Sequence, residues 1–312
     1  MYQNNINETI APASLTKIMT AIILLDHYDI NDTIEVSVTK NDIKGKIAYI
    51  QDNQSIKIST LLDFLLVYSA NDAAHIAALA VTSSEDEFIN LMNIKAIDLG
   101  MNNTNYTNVH GLDDTNHYTT INDLLLLTLE SIKYDPIIAS VRKESFVATI
   151  NNNSPTLYKT TNELVNYNSD YIGLKTGWTS KAGLTLIGLY QNSERKIITI
   201  VNKSDVDTNK TNHFFDTQKL VNESIDNYKL INIINKNETL IKIYNGQDNY
   251  EIKNTTNIEV FDNIESINTI NLDSFNQNEI IYSYHDDKTL IVPIPKTNKI
   301  SILNKILFWI MR

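Results

Sequence analysis

The chain has 312 residues, a formal net charge of −11, no cysteine and a hydrophobic share of 42%. That hydrophobic share supports a packed core and excludes a mainly disordered chain. The acidic balance argues against a nucleic-acid-binding protein, because phosphate binding needs concentrated lysine and arginine. The lack of cysteine excludes disulfide frameworks, thiol catalysis and cysteine-ligated metal sites.

Helical patterns dominate residues 14–135. Ser14 is predicted to cap the first helix or to lie in its first turn, and Gly100 is predicted to end the fourth helix. Asn122 or Asp123 is predicted to cap the fifth. The predicted helices cover residues 14–25, 61–69, 72–81, 88–100, 124–129 and, after a break, 216–228.

From about residue 140 the apolar pattern becomes that of strands. The predicted strands cover residues 145–150, 172–175, 184–190 and 196–201. Helices and strands are therefore segregated along the chain instead of alternating. This order predicts an α+β fold, an antiparallel sheet with helices, for about the first 230 residues.

Two further parts are predicted beyond residue 229. Residues 230–295 carry short apolar segments and hairpin signals such as Asn245-Gly246, which predict a small all-β domain. Residues 296–312 contain lysine and arginine but no acidic residue, and their apolar side chains recur at helical spacing. This tail is predicted to be an amphipathic helix, either lying on a membrane surface or docked on the β domain.

Three short motifs carry candidate chemistry: S-x-x-K at 14–17, S-x-N at 69–71 and K-T-G at 175–177. A serine hydroxyl is a weak nucleophile and needs an adjacent base. Positions i and i+3 share a helix face, so Lys17 is expected beside Ser14. Lys17 accepts a proton only when neutral, and burial and the charge of Lys175 would both lower its pKa. For each motif taken singly, a purely structural role as a cap, turn or solvated residue is the alternative.

In this order the motifs make the chain resemble the serine D-Ala-D-Ala carboxypeptidases of the peptidase S11 family, which are low-molecular-mass penicillin-binding proteins. Three segments that resemble the family's nucleophile, second and third motifs lie at residues 11–20, 69–74 and 173–183. Shorter helix and loop signatures are matched at residues 91–93, 99–101, 110–114 and 117–120. The resemblance covers about residues 2–228. It implies a catalytic domain over residues 1–229 with the penicillin-binding/β-lactamase-like transpeptidase fold.

The resemblance also implies roles for particular residues. The implied catalytic residues are Ser14, Lys17, Ser69, Asn71 and Lys175. Ser14 would attack the carbonyl between the two terminal D-alanines of a peptidoglycan stem pentapeptide, Lys17 would take its proton, and water would release the acyl-enzyme. β-Lactam antibiotics would acylate the same serine. The implied substrate-binding residues are Lys175, Thr176, Gly177, Trp178, Lys210 and His213. No metal, organic cofactor or nucleic acid is implied.

One position departs from the family pattern. Where the family usually has a carboxylate-binding arginine, the matching residue here is His213. Arginine offers a permanent two-pronged contact, whereas histidine is only partly charged near neutral pH. Either Lys210, three residues earlier, replaces the arginine, or recognition of the substrate carboxylate is weakened.

The start of the chain and its location in the cell give conflicting expectations. Met1 is not followed by a signal-peptide pattern, and no window of about 18 apolar residues predicts a membrane-spanning helix. Taken alone, this favours a soluble cytoplasmic protein. The resemblance implies instead the outer face of the cytoplasmic membrane and a preceding strand, so we expect the chain to be truncated. An endopeptidase of D-Ala cross-links, a β-lactamase and an inactive muropeptide- or penicillin-binding protein remain alternatives.

Overall fold

A computed structural model of the protein describes residues 4–36, 43–151 and 153–227 in full and, beyond them, the backbone of strands between residues 229 and 293. The chain divides into two compact units, Met1–Val221 and Asn222–Arg312. The three motifs all lie in the first unit.

The first unit combines helices with short and long strands. Its helices are α1 Thr16–His27, α2 Ile58–Asp63, α3 Asn71–Val81, α4 Glu85–Asp98, α5 Ile121–Ser131, α6 Asp135–Val141, α7 Leu164–Tyr167 and α8 Asn212–Asn227, the last of which continues into the second unit. Its strands are β1 Thr33–Glu35, β2 Ser55–Lys57, β3 Ser145–Ala148, β4 Thr156–Lys159, β5 Tyr171–Thr179, β6 Gly183–Gln191 and β7 Lys196–Ser204. A 3₁₀ turn, Ala13–Leu15, leads into α1, and a π-helical turn, Phe64–Tyr68, extends α2.

The helix ends confirm the predicted signal at Gly100, correct the predicted cap of α5 and decide between the two positions predicted for Ser14. Gly100 follows α4 with a φ of 79°, the left-handed conformation that favours glycine. Of the two positions predicted for Ser14, the cap is wrong, because α1 has no side-chain cap; Ser14 lies in the 3₁₀ turn that runs directly into α1. The cap of α5 is Thr120, whose hydroxyl accepts the N–H of Asp123 at 3.1 Å. Neither Asn122 nor Asp123 is the cap, since both lie inside the first turn.

The helix α1 lies at the centre of the larger core cluster. Its residues from Ile18 to Ile23 are buried on every face, which explains why the segment is apolar without a polar stripe. The cluster includes side chains from the surrounding helices and from the sheet, among them Ala74, Phe88, Leu124, Ile172 and Ile187. A helix enclosed in this way holds its first turn, and therefore Lys17, in a fixed place.

The main sheet has the order β5-β6-β7 and is antiparallel throughout. These strands are longer at their ends than the sequence predicts, while β3 is shorter. The strands β1, β2 and β4 were not predicted, because each has three or four residues and a single buried side chain, too little for a recognisable pattern. The strand β5 is at one edge of the sheet, and the turn Ala13–Leu15 contacts it.

Every element described beyond residue 228 is a strand. They are β8 Lys229–Ile234, β9 Thr239–Tyr244, β10 Asn249–Lys253, β11 Ile258–Asp262, β12 Ile270–Phe275, β13 Glu279–Tyr284 and β14 Lys288–Pro293. Antiparallel pairing joins β8 to β11, β9 to β10, and β12 to β13 to β14. The predicted helix over residues 296–312 lies outside the described residues. Within the described part of the chain, no helix has the length and apolar character needed to cross a membrane.

Candidate active site

The nucleophile motif lies where the 3₁₀ turn meets α1. Ser14 is in the turn and Lys17 is in the first turn of α1, so the two side chains face the same side as the i, i+3 spacing predicts. The Nζ of Lys17 is 3.0 Å from the Oγ of Ser14 and donates a hydrogen bond of 2.7 Å to the carbonyl of His110. The Lys17 side chain is 0% exposed. The base predicted for the serine is therefore in hydrogen-bond contact with it.

The surroundings of Lys17 favour its neutral form. Burial lowers the pKa of Lys17 from 10.5 to about 7; the negative charge of Asp72 opposes this shift, and the positive charge of Lys46 adds to it. An amine with a pKa near neutrality is unprotonated in a substantial fraction of molecules at physiological pH. Lys17 can therefore accept the hydroxyl proton of Ser14, which an ordinary lysine cannot do.

The second motif begins where the π-helical turn ends. Ser69 has a φ of 67°, a left-handed conformation that costs a non-glycine residue about 1–2 kcal/mol. The bond from the N–H of Ala70 to the carbonyl of Phe64, 2.8 Å long, closes this turn. Strained backbone at a polar residue is typical of functional sites. Here it places Ser69 two residues before Asn71, the first residue of α3.

The third motif is on β5, as predicted. Lys175 is 1% exposed, and its Nζ donates to the Oγ of Ser69 at 2.9 Å and to the carbonyl of Thr176 at 3.0 Å. Burial, together with the positive charges of Lys17 and Lys46, holds the pKa of Lys175 well below its ordinary value. The second and third motifs, 106 residues apart in sequence, are therefore joined by a direct hydrogen bond.

Gly177 explains how β5 approaches the nucleophile. A Cβ at this position would lie 3.0 Å from the Cβ of Ala13 and 3.1 Å from the backbone nitrogen of Ser14. The same Cβ would also lie 2.8 Å from the Cγ2 of Thr185. The glycine of K-T-G is thus required for the strand to pack against the turn that carries Ser14.

The residues predicted to bind a carboxylate are placed very differently from one another. His213 is buried, its ring lies 4.0 Å from that of Phe214, and burial lowers its pKa to about 4, so it is neutral near pH 7. Lys210 is exposed, and its Nζ lies 3.4 Å from the ring centroid of Trp178, the residue that follows K-T-G. The geometry therefore favours Lys210 over His213 as a cation for an anionic substrate group.

The sequence patterns did not identify a segment that lies against Asn71. The side-chain amide of Asn71 donates to the carbonyl of Lys44 at 2.7 Å, and its backbone N–H donates to the carbonyl of Lys46 at 2.7 Å. Carbonyl contacts of this kind leave no trace in side-chain identity. The only available signal was the triplet Lys44-Gly45-Lys46 itself, which is basic in an acidic chain.

A second missed group positions the nucleophile turn. The N–H of Thr107 donates to the Nδ1 of His117 at 3.0 Å, so the ring proton is on Nε2, which lies 2.8 Å from the hydroxyl of Thr16. Gly111 packs against the same turn, since a Cβ there would lie 1.8 Å from the carbonyl oxygen of Ala13. Both residues lie in the 110–120 signatures of the family, and that match was the available signal.

Within the described residues, no group of three or more histidine or acidic side chains is arranged to hold a metal ion. The arrangement that is present comprises a serine, a buried amine beside it, and a second serine bonded to a second buried amine. Such an arrangement is suited to nucleophilic attack on a carbonyl followed by proton transfer.

Comparisons with known proteins agree with this chemistry. A family model described as D-alanyl-D-alanine carboxypeptidase, peptidase S11, matches residues 1–205. The chain is 28% identical over 206 residues to D-alanyl-D-alanine carboxypeptidase DacF of Bacillus subtilis, an alignment that covers 64% of this chain and 53% of that protein. It is 31% identical over 226 residues to D-alanyl-D-alanine endopeptidase of Escherichia coli, covering 70% of this chain and 71% of that protein. The chain thus spans about half the length of the Bacillus relative.

A solved structure supports the fold. Penicillin-binding protein D2 from Listeria monocytogenes, in its cefotaxime-bound form, superposes with a TM-score of 0.62 and 27% identity, covering 71% of this chain and 90% of that one. This likeness confirms the predicted α+β fold of the penicillin-binding proteins. Because the family model matches about two thirds of the chain, the protein belongs to the peptidase S11 family of D-alanyl-D-alanine carboxypeptidases.

Proposed function

We propose that the protein is a serine-type D-Ala-D-Ala carboxypeptidase that removes the terminal D-alanine from peptidoglycan stem pentapeptides. One observation carries the proposal: the neutral-prone amine of Lys17 lies 3.0 Å from the hydroxyl of Ser14. A nucleophile in contact with a base of pKa about 7 is the minimum that an acyl-transfer enzyme needs at neutral pH.

The proposed acylation step starts at Ser14. Its Oγ forms a bond to the carbonyl carbon of the penultimate D-alanine while its proton moves to the Nζ of Lys17. The tetrahedral intermediate then collapses: the C–N bond breaks, a proton is returned to the leaving amine through Lys17 or Ser69, and D-alanine departs. An ester between the peptide and Ser14 remains, and water hydrolyses it with the proton moving back along the same path.

The developing negative charge on the carbonyl oxygen needs N–H donors. We assign these to the backbone N–H groups of Ser14 and Trp178, an assignment supported by the close approach of Gly177, the residue before Trp178, to the backbone nitrogen of Ser14. The side chain of Asn71 uses its NH₂ group on the carbonyl of Lys44, so its oxygen would accept the N–H of the substrate's acyl-donor peptide. Preorganised donors of this kind typically contribute ~10²–10³-fold in rate.

Recognition of the substrate's C-terminal carboxylate is assigned to Lys210 and the hydroxyl of Thr176. Lys210 is held over Trp178, at the end of β5. The Thr176 hydroxyl already bonds the hydroxyl of Thr161 at 2.7 Å, which fixes its direction. His213 is excluded from a charged role near pH 7 by its lowered pKa of about 4.

A D-Ala cross-link endopeptidase is the second candidate, favoured by the 31% identity to a protein of that name. Both activities use the same acyl-enzyme and differ in the leaving amine. A carboxypeptidase should release free D-alanine from pentapeptide, whereas an endopeptidase should cut purified cross-linked dimers faster. A β-lactamase would hydrolyse penicillin with continuous turnover, and an inactive binding protein would form no covalent adduct.

The remaining proposals concern location and the C-terminal part. We propose that the enzyme acts outside the cytoplasmic membrane, where its proposed substrate, peptidoglycan, lies. We propose that residues 230–295 form a separate all-β domain, an idea supported by the antiparallel strands β8 to β14. We also propose that residues 296–312 attach the protein to a membrane surface. Deleting residues 296–312 should then release the protein from vesicles without changing its activity on a soluble peptide.

The test of the main proposal is mass spectrometry after exposure to benzylpenicillin. The native protein should gain one penicilloyl group on the peptide that contains Ser14, and Ser14→Ala should abolish labelling and lower peptide turnover by about 10⁴-fold or more. Ser154→Ala, at an exposed serine, is the matched control and should label normally. Turnover that survives in Ser14→Ala would refute the mechanism.

A further inference from the structure

The segment 44–50 forms one wall of the active site beside Ser69 and Asn71. Asn71 binds this segment through two hydrogen bonds: its side-chain amide donates to the carbonyl of Lys44, and its backbone N–H donates to the carbonyl of Lys46. Gly45 has a φ of 84°, and a Cβ there would lie 2.6 Å from the Nδ2 of Asn71. The segment therefore lies directly against the S-x-N motif and needs a glycine to do so.

A buried carboxylate anchors the next part of the segment. Asp72 is 4% exposed, and its oxygens accept the N–H groups of Ala48 at 2.9 Å and Ile50 at 3.1 Å. The residue that follows S-x-N thus fixes the backbone on one side of Lys46, and Asn71 fixes it on the other. The backbone at Lys46 is therefore held in place by hydrogen bonds to Asn71 and to the adjacent Asp72.

The ammonium group of Lys46 faces the site. The residue is exposed, and its Nζ lies 4.1 Å from the ring centroid of Tyr68, the residue before Ser69. Burial is the main cause of the lowered pKa of Lys17 and of Lys175, and the positive charge of Lys46 adds to both shifts. Within residues 4–36, 43–151 and 153–227, no carboxylate is paired with it.

We propose that Lys46 binds a carboxylate carried by the acyl-donor part of the substrate. The inference rests on the proposed function and adds a substrate class to it. The terminal carboxylate is assigned to Lys210, next to Trp178 on β5, whereas Lys46 lies on the Asn71 side, to which the acyl-donor peptide is assigned. A cation held against an aromatic ring beside two neutral-prone amines is suited to an anionic group that arrives with the substrate.

A matched pair of penicillins tests this proposal. Carbenicillin differs from benzylpenicillin by one carboxylate on the side chain, which belongs to the acyl-donor part. The rate constant for acylation of Ser14 should be measured with both compounds, at one pH and low ionic strength. The variants are Lys46→Met, which removes the charge, Lys46→Arg, which keeps it, and Lys57→Met, which removes an exposed lysine on β2 as the control.

We expect Lys46→Met to lower acylation by carbenicillin about two- to fivefold more than acylation by benzylpenicillin, the range for a solvated ion pair. Lys46→Arg and Lys57→Met should preserve the native ratio. The difference should also shrink as salt is added, because an exposed charge pair is screened.

Two other results would overturn the proposal. An equal change with both penicillins in Lys46→Met would mean that Lys46 acts only through the amines of Lys17 and Lys175. An unchanged ratio with unchanged rates would mean that it has no role in binding. If the native protein is acylated by neither compound, the proposed function itself fails, and that outcome is distinct from the first two.

Discussion

The nucleophile side and the carboxylate side of the active site are held in different ways. On the nucleophile side, Lys17 and Lys175 are 0% and 1% exposed, and each amine makes two hydrogen bonds to fixed partners. On the carboxylate side, Trp178 is 47% exposed and Lys210 lies over its ring at the surface. One side is part of the core, and the other is a pair of side chains in contact with water.

The difference follows from what each side has to do. An amine serves as a base at neutral pH only if it is removed from water, and this requires burial with complete hydrogen bonding. A cationic side chain that binds a substrate carboxylate has to be accessible to the substrate. We therefore expect changes on the nucleophile side to affect rate and folding strongly, and changes on the carboxylate side to affect substrate preference mildly.

Among changes outside the five catalytic residues, the largest effect is expected for Gly111→Ala on the nucleophile side. The new Cβ would lie 1.8 Å from the carbonyl oxygen of Ala13, so the turn that carries Ser14 has to move. A displacement of about 1 Å at a reacting group can cost ~10²-fold, and we expect at least that loss in the rate of acylation by a fluorescent penicillin.

Gly100→Ala is the matched control for that variant. Gly100 has a similar positive φ of 79°, but a Cβ there would meet only the Cδ1 of Leu126 at 3.9 Å. It should lose about 1–2 kcal/mol of stability in urea unfolding and keep the native acylation rate. Equal acylation rates in the two glycine variants would show that the turn is not held from the Gly111 side.

The second prediction concerns pH. Lys17, with a pKa of about 7, acts as base when neutral, so acylation by benzylpenicillin should fall about tenfold per unit below pH 7 and level off above pH 8. His117 and His213, with pKa values of about 4, stay neutral through this range and do not account for such a profile. Circular dichroism at each pH checks that the fold is intact. A rate that is constant from pH 5 to 8 would contradict a neutral amine as base.

The third prediction concerns His117 as a positioning residue. His117→Phe keeps the ring but leaves the hydroxyl of Thr16 and the N–H of Thr107 without this partner inside the protein. We expect a loss of about 2 kcal/mol in the free energy of unfolding and a roughly tenfold slower acylation, with the pH midpoint unchanged. His117→Gln, which retains a donor and an acceptor, should recover most of the rate. Lost stability with a native acylation rate would reduce His117 to a structural role.

The sequence predicted the nucleophile side better than the carboxylate side, for physical reasons. The i, i+3 spacing of Ser14 and Lys17 is local, so it survives in any helix-initiating turn. The Ser69–Lys175 contact spans 106 residues and was reached only through the resemblance. The burial of His213 depends on how α8 packs, which no local pattern encodes.

Backbone features account for most of what was missed. The left-handed conformation of Ser69 could not be predicted, because the residue is not a glycine. The backbone carbonyls of Lys44, Lys46 and His110 accept hydrogen bonds whatever side chain the residue carries, so the sequence does not indicate them. Asp72 was predicted to lie in a helix and in the stretch that resembles the second motif, without a role of its own, yet its carboxylate accepts the N–H of Ala48 in the segment 44–50. The sequence pattern predicted helices in which apolar residues recur over several turns, but it did not predict strands that have a single buried residue.

The smallest effect is expected on the carboxylate side, for Lys210→Met. This variant keeps an apolar side chain over Trp178 but removes the charge. For a peptide ending in D-Ala-D-Ala with a free carboxylate, kcat/KM should fall about two- to fivefold, mainly through KM, because an exposed ion pair contributes up to ~1 kcal/mol. The same peptide with a C-terminal amide should be unaffected, and Lys210→Arg should behave like the native protein. Lys181→Met, at an exposed lysine in the β5–β6 turn, is the control for the loss of one positive charge. Two results would contradict this prediction: a loss of 100-fold or more in Lys210→Met, or a loss on the amide peptide equal to that on the free carboxylate. Either result would mean that a surface cation acts on the chemical step. The difference in burial between the lysines of the two sides would then not correspond to a difference in their roles.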